Sequence, residues 1–493
     1  NGDCELQDVA AEVGLRDVRY DVEPSNTKQG VDESNPFFFF DPSKCIVCSR
    51  CVRACDDLQV THALSIDGRG FASRIIAGAD ESFMDSGCVS CGACVNECPV
   101  GALEDKQLRE AGNPDKWVRT TCGFCGVGCQ FDAGIKGNRL VTMKPAADSP
   151  VNNGHSCVKG RFASAYVNHK ERLDMPMVRE TKDGEFREVS WDEAYDFITE
   201  RWKKILEESG PDAIGTITSS RSTNELNYLG SKLMRAVVGT NNVDNCARVC
   251  HSATVKGMMK VFGAGAGTNS LGDIDVTDLL LASGCNPIHG HPVTGSRIMR
   301  ARKRGMKLIV VDPISTEFAQ LADIHLKLRP GTNVALFQGL SHIILRDGLE
   351  ASEEWMETRT ENLDPFKRMI AEMTPERCSE LTTIPIETLE AAAHLYASVD
   401  SAMSVHGLGM TEHSHGSEGV MALASLALLT GNVGRTGTGI NPLRGQNNVQ
   451  GSCDMGALPN VYTNYQSSDD VEHQEKVSAA WNVQVPTNLC MTY

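Results

Sequence analysis

The chain has 493 residues, enough for several hydrophobic cores, with 19 cysteines and a formal net charge of −17 at pH 7. That charge argues against a nucleic-acid partner, because phosphate contact calls for a basic face. No apolar run reaches the length of a membrane span, and such cysteine usage implies a reducing compartment during assembly.

Residues 1–36 read as the remnant of an upstream iron–sulfur domain plus a linker. Within them Cys4, in Gly2-Asp-Cys-Glu-Leu-Gln7, is either the last ligand of a cluster whose partners precede Asn1 or a lone thiol. Residues 37–106 then carry Cys45, Cys48, Cys51 and Cys55, followed by Cys88, Cys91, Cys94 and Cys98, with Pro99 next. This is C-x2-C-x2-C-x3-C twice, the spacing that holds two 4Fe–4S clusters, the fourth cysteine of each run serving the other cluster. Cys45, Cys48, Cys51 and Cys98 are therefore assigned to one cube, and Cys88, Cys91, Cys94 and Cys55 to the other. Four thiolates on tight turns suit a soft iron–sulfide core. Structural zinc does not need a doubled run with a crossed ligand, and a disulfide framework does not suit a chain of this size. The Phe37–Phe40 run is too short to span a membrane and is expected to pack under the first cube.

A third quartet, Cys122, Cys125, Cys129 and Cys157, follows in residues 117–173. Its first three members sit in the glycine-rich loop Thr121-Cys-Gly-Phe-Cys-Gly-Val-Gly-Cys129, and the fourth in Gly154-His-Ser-Cys-Val-Lys-Gly160. Glycines let the backbone wrap closely around a cluster and aim N–H groups at its sulfurs. Taken alone, Lys159 could be a solvated surface lysine. With the quartet, this segment resembles the N-terminal cluster domain of the molybdenum or tungsten bis-pterin oxidoreductases, which implies that Lys159 lies between cluster and pterin.

From residue 174 to 493 strands and helices alternate, the pattern of an α/β fold. Ser190-Trp-Asp-Glu193 opens a helix running to about Glu208. A strand is predicted over Ala213–Thr218 and a helix over Asn224–Val238. Thr277–Ala282 reads as a buried strand ending at Gly284-Cys-Asn-Pro287. A helix over Thr294–Arg304 and the apolar strand of Lys307–Pro313, closing on the acidic Asp312, complete a Rossmann-like unit that needs a right-handed crossover. Ala402–Val405 reads as a further strand, and Glu418–Thr430 as an apolar helix. The fold class expected is α/β multidomain, preceded by an α+β two-cluster ferredoxin-like domain.

There is no G-x-G-x-x-G after a strand and no Walker loop, so directly bound NAD or ATP is not supported. Open α/β sheets bind ligands at the carboxyl ends of their strands. Three such ends carry polar or glycine-rich loops: Gly284–Pro287 with Asn286, Asp312-Pro313, and Gly331-Thr-Asn333. On spacing alone these residues are turn formers. The resemblance instead implies a guanine-dinucleotide pocket on Asn286, Asp312, Gly331 and Asn333, with Gly407, Leu408, Gly409 and Glu412 as a further cofactor-lining turn. Ile314 stands where family members often carry arginine, so one charge-assisted contact is expected to be missing. Leu408 and Glu412 replace a methionine and a glutamine of some relatives.

The segment Asn241–His251 and the segment Asn441–Gly451 hold the residues read as reacting. By itself Cys250-His251 is a buried cysteine beside a helix-face histidine. Here, however, the chain resembles the formate dehydrogenases, in which the metal's protein ligand is a cysteine or selenocysteine followed directly by histidine. The resemblance makes Cys250 the metal ligand and His251 its proton-handling partner. Arg444, in Asn-Pro-Leu-Arg-Gly-Gln-Asn-Asn, becomes the substrate-anion arginine, and Gln446 a pterin-side residue. Cys246 reads as a packed small hydrophobe.

The resemblance covers essentially the whole chain. It implies a formate dehydrogenase catalytic subunit with bis-molybdopterin guanine dinucleotide carrying molybdenum or tungsten, and 4Fe–4S clusters. Its substrate pair would be formate and CO2. Its partner would be an electron-accepting subunit of flavin/NAD-binding or ferredoxin type. An oxyanion-reducing sister enzyme and a non-catalytic electron-transfer scaffold are the alternatives. A further C-terminal, pterin-capping domain is expected beyond Tyr493. A cytoplasmic location is expected, with an upstream export signal left open because Asn1 is not an initiator methionine.

Overall fold

The computed structural model describes residues 4–17 and 29–488; residues 1–3, 18–28 and 489–493, with Cys490 and much of the 1–36 segment, lie outside the described residues. Chain contacts define two units, Asn1–Asn168 with Lys256–Leu443, and His169–Val255 with Arg444–Tyr493.

In the first unit, strand β1 (Phe38–Phe40) pairs antiparallel with β2 (Leu103–Asp105), tying the start of the two-cluster module to its end. Phe38 and Phe40 join Cys51, Cys55 and Cys94 in one buried apolar cluster. The aromatic run thus packs beneath cysteines of both quartets rather than beneath the first alone. Strands β3 (Lys116–Thr121), β4 (Gln130–Lys136) and β5 (Arg139–Pro145) form an antiparallel sheet. The loop between β3 and β4 carries Cys122, Cys125 and Cys129. The short helix α1 (Val158–Phe162) starts directly after Cys157.

The rest of this unit is a five-stranded, all-parallel sheet built from β6 (Leu279–Ser283), β7 (Lys307–Val311), β8 (Ile324–Leu326), β9 (Ala402–His406) and β10 (Gly439–Pro442), in the order β8-β7-β6-β9-β10. Helix α2 (Pro292–Lys303) connects β6 to β7, as the strand–helix–strand reading requires. It begins two residues before the predicted start because Pro292, with its fixed φ and no N–H, occupies the first turn. All of β6 is buried, so it reads as an unbroken apolar run with no alternation. Helices α3 (Asn333–Arg346) and α4 (Gly416–Leu429) contribute Leu336, Leu340, Leu423 and Leu426 to the largest core, together with Leu279 and Leu281 of β6.

In the second unit, Ser190 caps helix Trp191–Ser209 by accepting from the Glu193 N–H. The predicted strand over Ala213–Thr218 shortens to Thr216–Thr218, because Pro211–Ala213 form a 3-10 turn. It pairs parallel with Val243–Asn245. Helix Asn224–Lys232 runs on into a wider π turn, Leu233–Val238, that ends at Gly239. Arg235 is 1% exposed and donates to the carbonyls of Gly456, Leu458 and Val461 and to Asn241 Oδ1. Its guanidinium replaces water for carbonyls that would otherwise be buried unpaired, and it fixes the 456–461 segment against this helix.

Candidate redox site

In the doubled cysteine run, the fourth cysteine of each half lies with the first three of the other half. A pocket in the first unit is lined by Cys45, Cys48, Cys51 and Cys98, with Phe40 beside them. The N–H groups of Val47 and Leu103 donate to Cys45 Sγ and Cys98 Sγ at 3.4 Å each. Cys55 instead interacts electrostatically with Cys88, Cys91 and Cys94. Ala63 N–H reaches Cys55 Sγ at 3.2 Å, and Ser90 N–H reaches Cys88 Sγ at 3.4 Å. Such N–H donors stabilise thiolate sulfur and tune a cluster.

Without a cationic core these sulfurs resist ionisation. Burial, then neighbouring cysteines, pushes the Cys51 thiol up to about 12, and burial with Cys88 and Cys55 does the same for Cys91. A coordinated metal reverses that balance, because a bound cation deprotonates a thiol. Among the described residues no three His, Cys, Asp or Glu side chains gather closely enough for a single metal ion. Four cysteines converge on one pocket at the first cube and four more at the third quartet, an arrangement that fits a multi-atom core.

The third quartet lines a second pocket: Cys122, Cys125, Cys129 and Cys157, with Lys159 and Gly160 in the wall. Lys159 therefore stands beside this quartet. Burial pushes the Cys122 thiol up to about 11, with Cys125 and Cys157 adding to it. Cys4 lies close to the first cube's side of the module, since Glu5 N–H donates to the Pro99 carbonyl at 2.9 Å and Arg50 pairs with Glu5 at 2.8 Å.

The strand order places a topological switch between β6 and β9, where the chain leaves in opposite directions and a crevice opens at the carboxyl ends. Gly284–Pro287 follows β6, and Gly407–Glu412 follows β9. The two loops touch through their backbones: Gly284 has φ +58, and an added Cβ would lie 2.5 Å from the Gly409 carbonyl carbon. Asn286 Oδ1 is buried without a hydrogen-bond partner. An orphaned buried acceptor in this crevice fits a ligand donor. Asp312 Oδ1 accepts from Ile314 N–H at 3.0 Å, so it does form a turn, as spacing alone suggests. Gly331 precedes α3, and Asn333 is its first residue, where unpaired N–H groups favour an anion. Ile314 is solvent-exposed. If this crevice holds a dinucleotide, Gly284→Ala is expected to introduce about 1–3 kcal/mol of strain and to lower pterin retention. Pterin content of the purified full-length protein, read alongside its thermal unfolding, checks both effects.

The second unit gathers the residues of the two distant segments. Cys250 is 4% exposed and His251 is fully buried. The Cys250 thiol donates to Gln446 Oε1 at 3.5 Å across 196 residues. Arg444 is largely buried, which lowers its pKa, while Cys453, Tyr465 and Cys250 favour its charge. It stays a cation, because guanidinium does not deprotonate in proteins. His251 Nδ1 lies 3.0 Å from Thr254 Oγ1. The Arg444–Gly451 segment is held there by Asn448, whose N–H donates to the Ser220 carbonyl at 2.9 Å and whose side chain donates to the Ser222 carbonyl at 2.8 Å. Cys246 is only partly buried.

Residues 172–490 match the family described as molybdopterin oxidoreductase. The chain belongs to that family. In this molybdopterin oxidoreductase, residues 115–169 match the family's Fe4S4 domain and residues 44–102 a 4Fe-4S dicluster domain. A molybdopterin and 4Fe–4S clusters are therefore its cofactors. The Bacillus subtilis (strain 168) protein named "Probable oxidoreductase YjgC" is 36% identical over 100% of this chain and 54% of its own length. Two Methanococcus maripaludis relatives, the alpha subunits of F420-dependent formate dehydrogenases 2 and 1, are 43% and 41% identical over 74% and 76% of this chain, and 53% and 54% of their own lengths. The chain spans about half the length of the curated relatives it matches. Acetylene hydratase from Pelobacter acetylenicus shares the fold, with a TM-score of 0.57 and 24% identity over 66% of this chain and 44% of that one.

Two groups that act on Arg444 in this molybdopterin oxidoreductase, and a carboxylate beside one of them, were not foreseen from the sequence. Cys453 and Tyr465 act on its charge, and Asp454 hydrogen-bonds Tyr465, its carboxyl pushed up chiefly by burial. The only trace in the sequence is the short spacing from Arg444 to Cys453-Asp454, which predicts proximity for any nearby pair.

Proposed function

We propose that this chain carries the catalytic centre of a formate dehydrogenase. It would oxidise formate to CO2, or run the reverse, and pass electrons through 4Fe–4S clusters to a partner subunit. The observation that carries this reading is the approach of Cys250 to Gln446, with the Arg444 charge acting on the same thiol. The names of the methanococcal relatives point the same way.

A bound molybdenum– or tungsten–pterin supplies the two-electron redox chemistry. The chain's residues do the rest. Cys250 offers a soft thiolate to the metal. As a thiolate it can no longer donate, so Gln446 would turn its amide to present N–H to sulfur. Formate is a one-carbon anion with almost no apolar surface, so the Arg444 fork provides its orientation through two parallel charge-assisted hydrogen bonds. His251 is assigned the released proton, and Thr254 steadies its ring. Asn286, Asp312, Gly331, Asn333, Gly407, Leu408, Gly409 and Glu412 are assigned to the guanine dinucleotide, and Lys159 to the gap between pterin and the Cys122 cluster. The acceptor is a partner subunit of flavin/NAD, F420 or ferredoxin chemistry.

The test is metal quantification with a formate-dependent dye-reduction assay on the full-length protein. Molybdenum or tungsten near one atom per chain, with dye reduced only when formate is added, is the expected result. Oxidation of reduced dye by nitrate without any formate activity, or absence of both metals from an intact preparation, would sink the reading.

A further inference from the structure

Helix α1 follows directly on Cys157 and lies against the turn that carries Cys91 and Cys94. Ser156 Oγ donates to the Cys91 carbonyl at 3.1 Å across 65 residues. The approach is close enough to require glycine between those cysteines. Gly92 has φ +76, and an added Cβ would lie 2.9 Å from Phe162 Cζ and 3.0 Å from Arg161 Cγ. Phe162 also stacks on Phe37, with ring centroids 5.0 Å apart.

Arg161 is 3% exposed. It donates to the Met143 carbonyl, its guanidinium carbon sits 5.5 Å from the Phe162 ring centroid, and its Nε has no hydrogen-bond partner. Among the described residues no carboxylate forms a salt bridge with it; Asp105 and Cys94 are the groups of opposite sign that act on it. A guanidinium stays charged, and a buried charge is strongly unfavourable unless an anion balances it. A 4Fe–4S cube held by four thiolates is such an anion, and nearby charge and hydrogen bonds set its potential.

We propose that Ser156 and Arg161 form the electron junction between the cluster on Cys122, Cys125, Cys129 and Cys157 and the cube on Cys55, Cys88, Cys91 and Cys94. The junction rests on the ligand assignments above. Ser156 completes a bonded path from ligand Cys157, through one hydrogen bond, to ligand Cys91. Arg161 is the counter-charge of the second cube, favouring its reduced, more negative state. One electron leaves the Cys122 cluster, which is oxidised by one, and enters the cube, which is reduced by one. The electron comes from oxidation at the pterin centre, or from dithionite in the test. No proton moves, because the guanidinium is protonated throughout.

The experiment uses full-length holoenzyme with Ser156→Ala, Arg161→Met and Arg161→Lys. Iron and labile sulfide are counted first, then both clusters are followed by redox titration and by freeze-quench electron paramagnetic resonance. Arg161→Met is expected to shift electron sharing at least tenfold toward the Cys122 cluster, about 59 mV for a one-electron couple. Arg161→Lys restores most of that shift. Ser156→Ala leaves both potentials in place and slows electron arrival at the cube tenfold or more. An unchanged potential in Arg161→Met, or an unchanged arrival rate in Ser156→Ala, overturns the junction. If Arg161→Met fails to assemble the cube, Arg161→Lys decides: an intact cube at the original potential supports the charge role, and loss of the cube overturns it. An unsubstituted protein lacking either cluster signal sinks the ligand assignments instead.

Discussion

Cys250→Ala is expected to abolish formate oxidation while leaving the iron–sulfur spectrum intact. Losing an outer partner of a metal ligand typically costs about 10–100-fold in metal affinity or activity, so loss of the ligand itself should exceed the upper end of that range. Cys250 is enclosed, at 4% exposure, and its thiol faces Gln446. Alanine leaves no donor to the metal and no hydrogen-bond partner for that amide. Cys250→Ser tests the chemistry more narrowly, because it keeps the volume and replaces soft sulfur with hard oxygen. Turnover should stay far below the original in serine, with iron content unchanged. A Cys250→Ala enzyme that oxidises formate at the original rate would refute the ligand role.

Arg444→Ala is expected to lower kcat/KM for formate roughly 30- to 1,000-fold, which corresponds to about 2–4 kcal/mol of lost charge-assisted hydrogen bonding. Most of the loss should appear in KM, because the guanidinium holds the carboxylate in the ground state as well as the transition state. Arg444→Lys should recover only part of it, since an ammonium is a point charge without the two-pronged geometry. Cys453, Tyr465 and Cys250 are groups that favour its charge. Steady-state kinetics with formate, together with an unchanged iron–sulfur spectrum, reads the effect. An unchanged KM in Arg444→Ala would remove this residue from the substrate site.

Much of the fold was legible because its signals are local. The apolar run of β6, its glycine-rich end and the following helix lie within one short stretch. The parallel pairing of β6 with β7 follows from that connection alone. The predicted strand over Ala213–Thr218 lost its first half because Pro211 follows Gly210, and such a pair turns the chain. Asp312 illustrates a different limit. Spacing suggests a turn and resemblance suggests a ligand, and the carboxylate does make the turn with one of its two oxygens. The neighbours of Arg444 were not legible, since hydrogen bonding between Asp454 and Tyr465 depends on a loop with no regular period.

By itself the sequence determined the inventory of sulfur. Cysteines with two or three residues between them on tight turns must converge wherever the rest of the chain goes, so the local cysteine runs follow from spacing, while the distant Cys157 does not. Tertiary structure alone decided which distant segments share one environment. Gln446 meets Cys250 across 196 residues, because Asn448 is tied to the Ser220–Ser222 turn and Arg235 holds the 456–461 carbonyls. Ser156 meets Cys91 across 65 residues, because glycine at position 92 lets helix α1 come close. Those contacts depend on buried polar groups finding partners after the chain has collapsed, and no local pattern of residues encodes that choice.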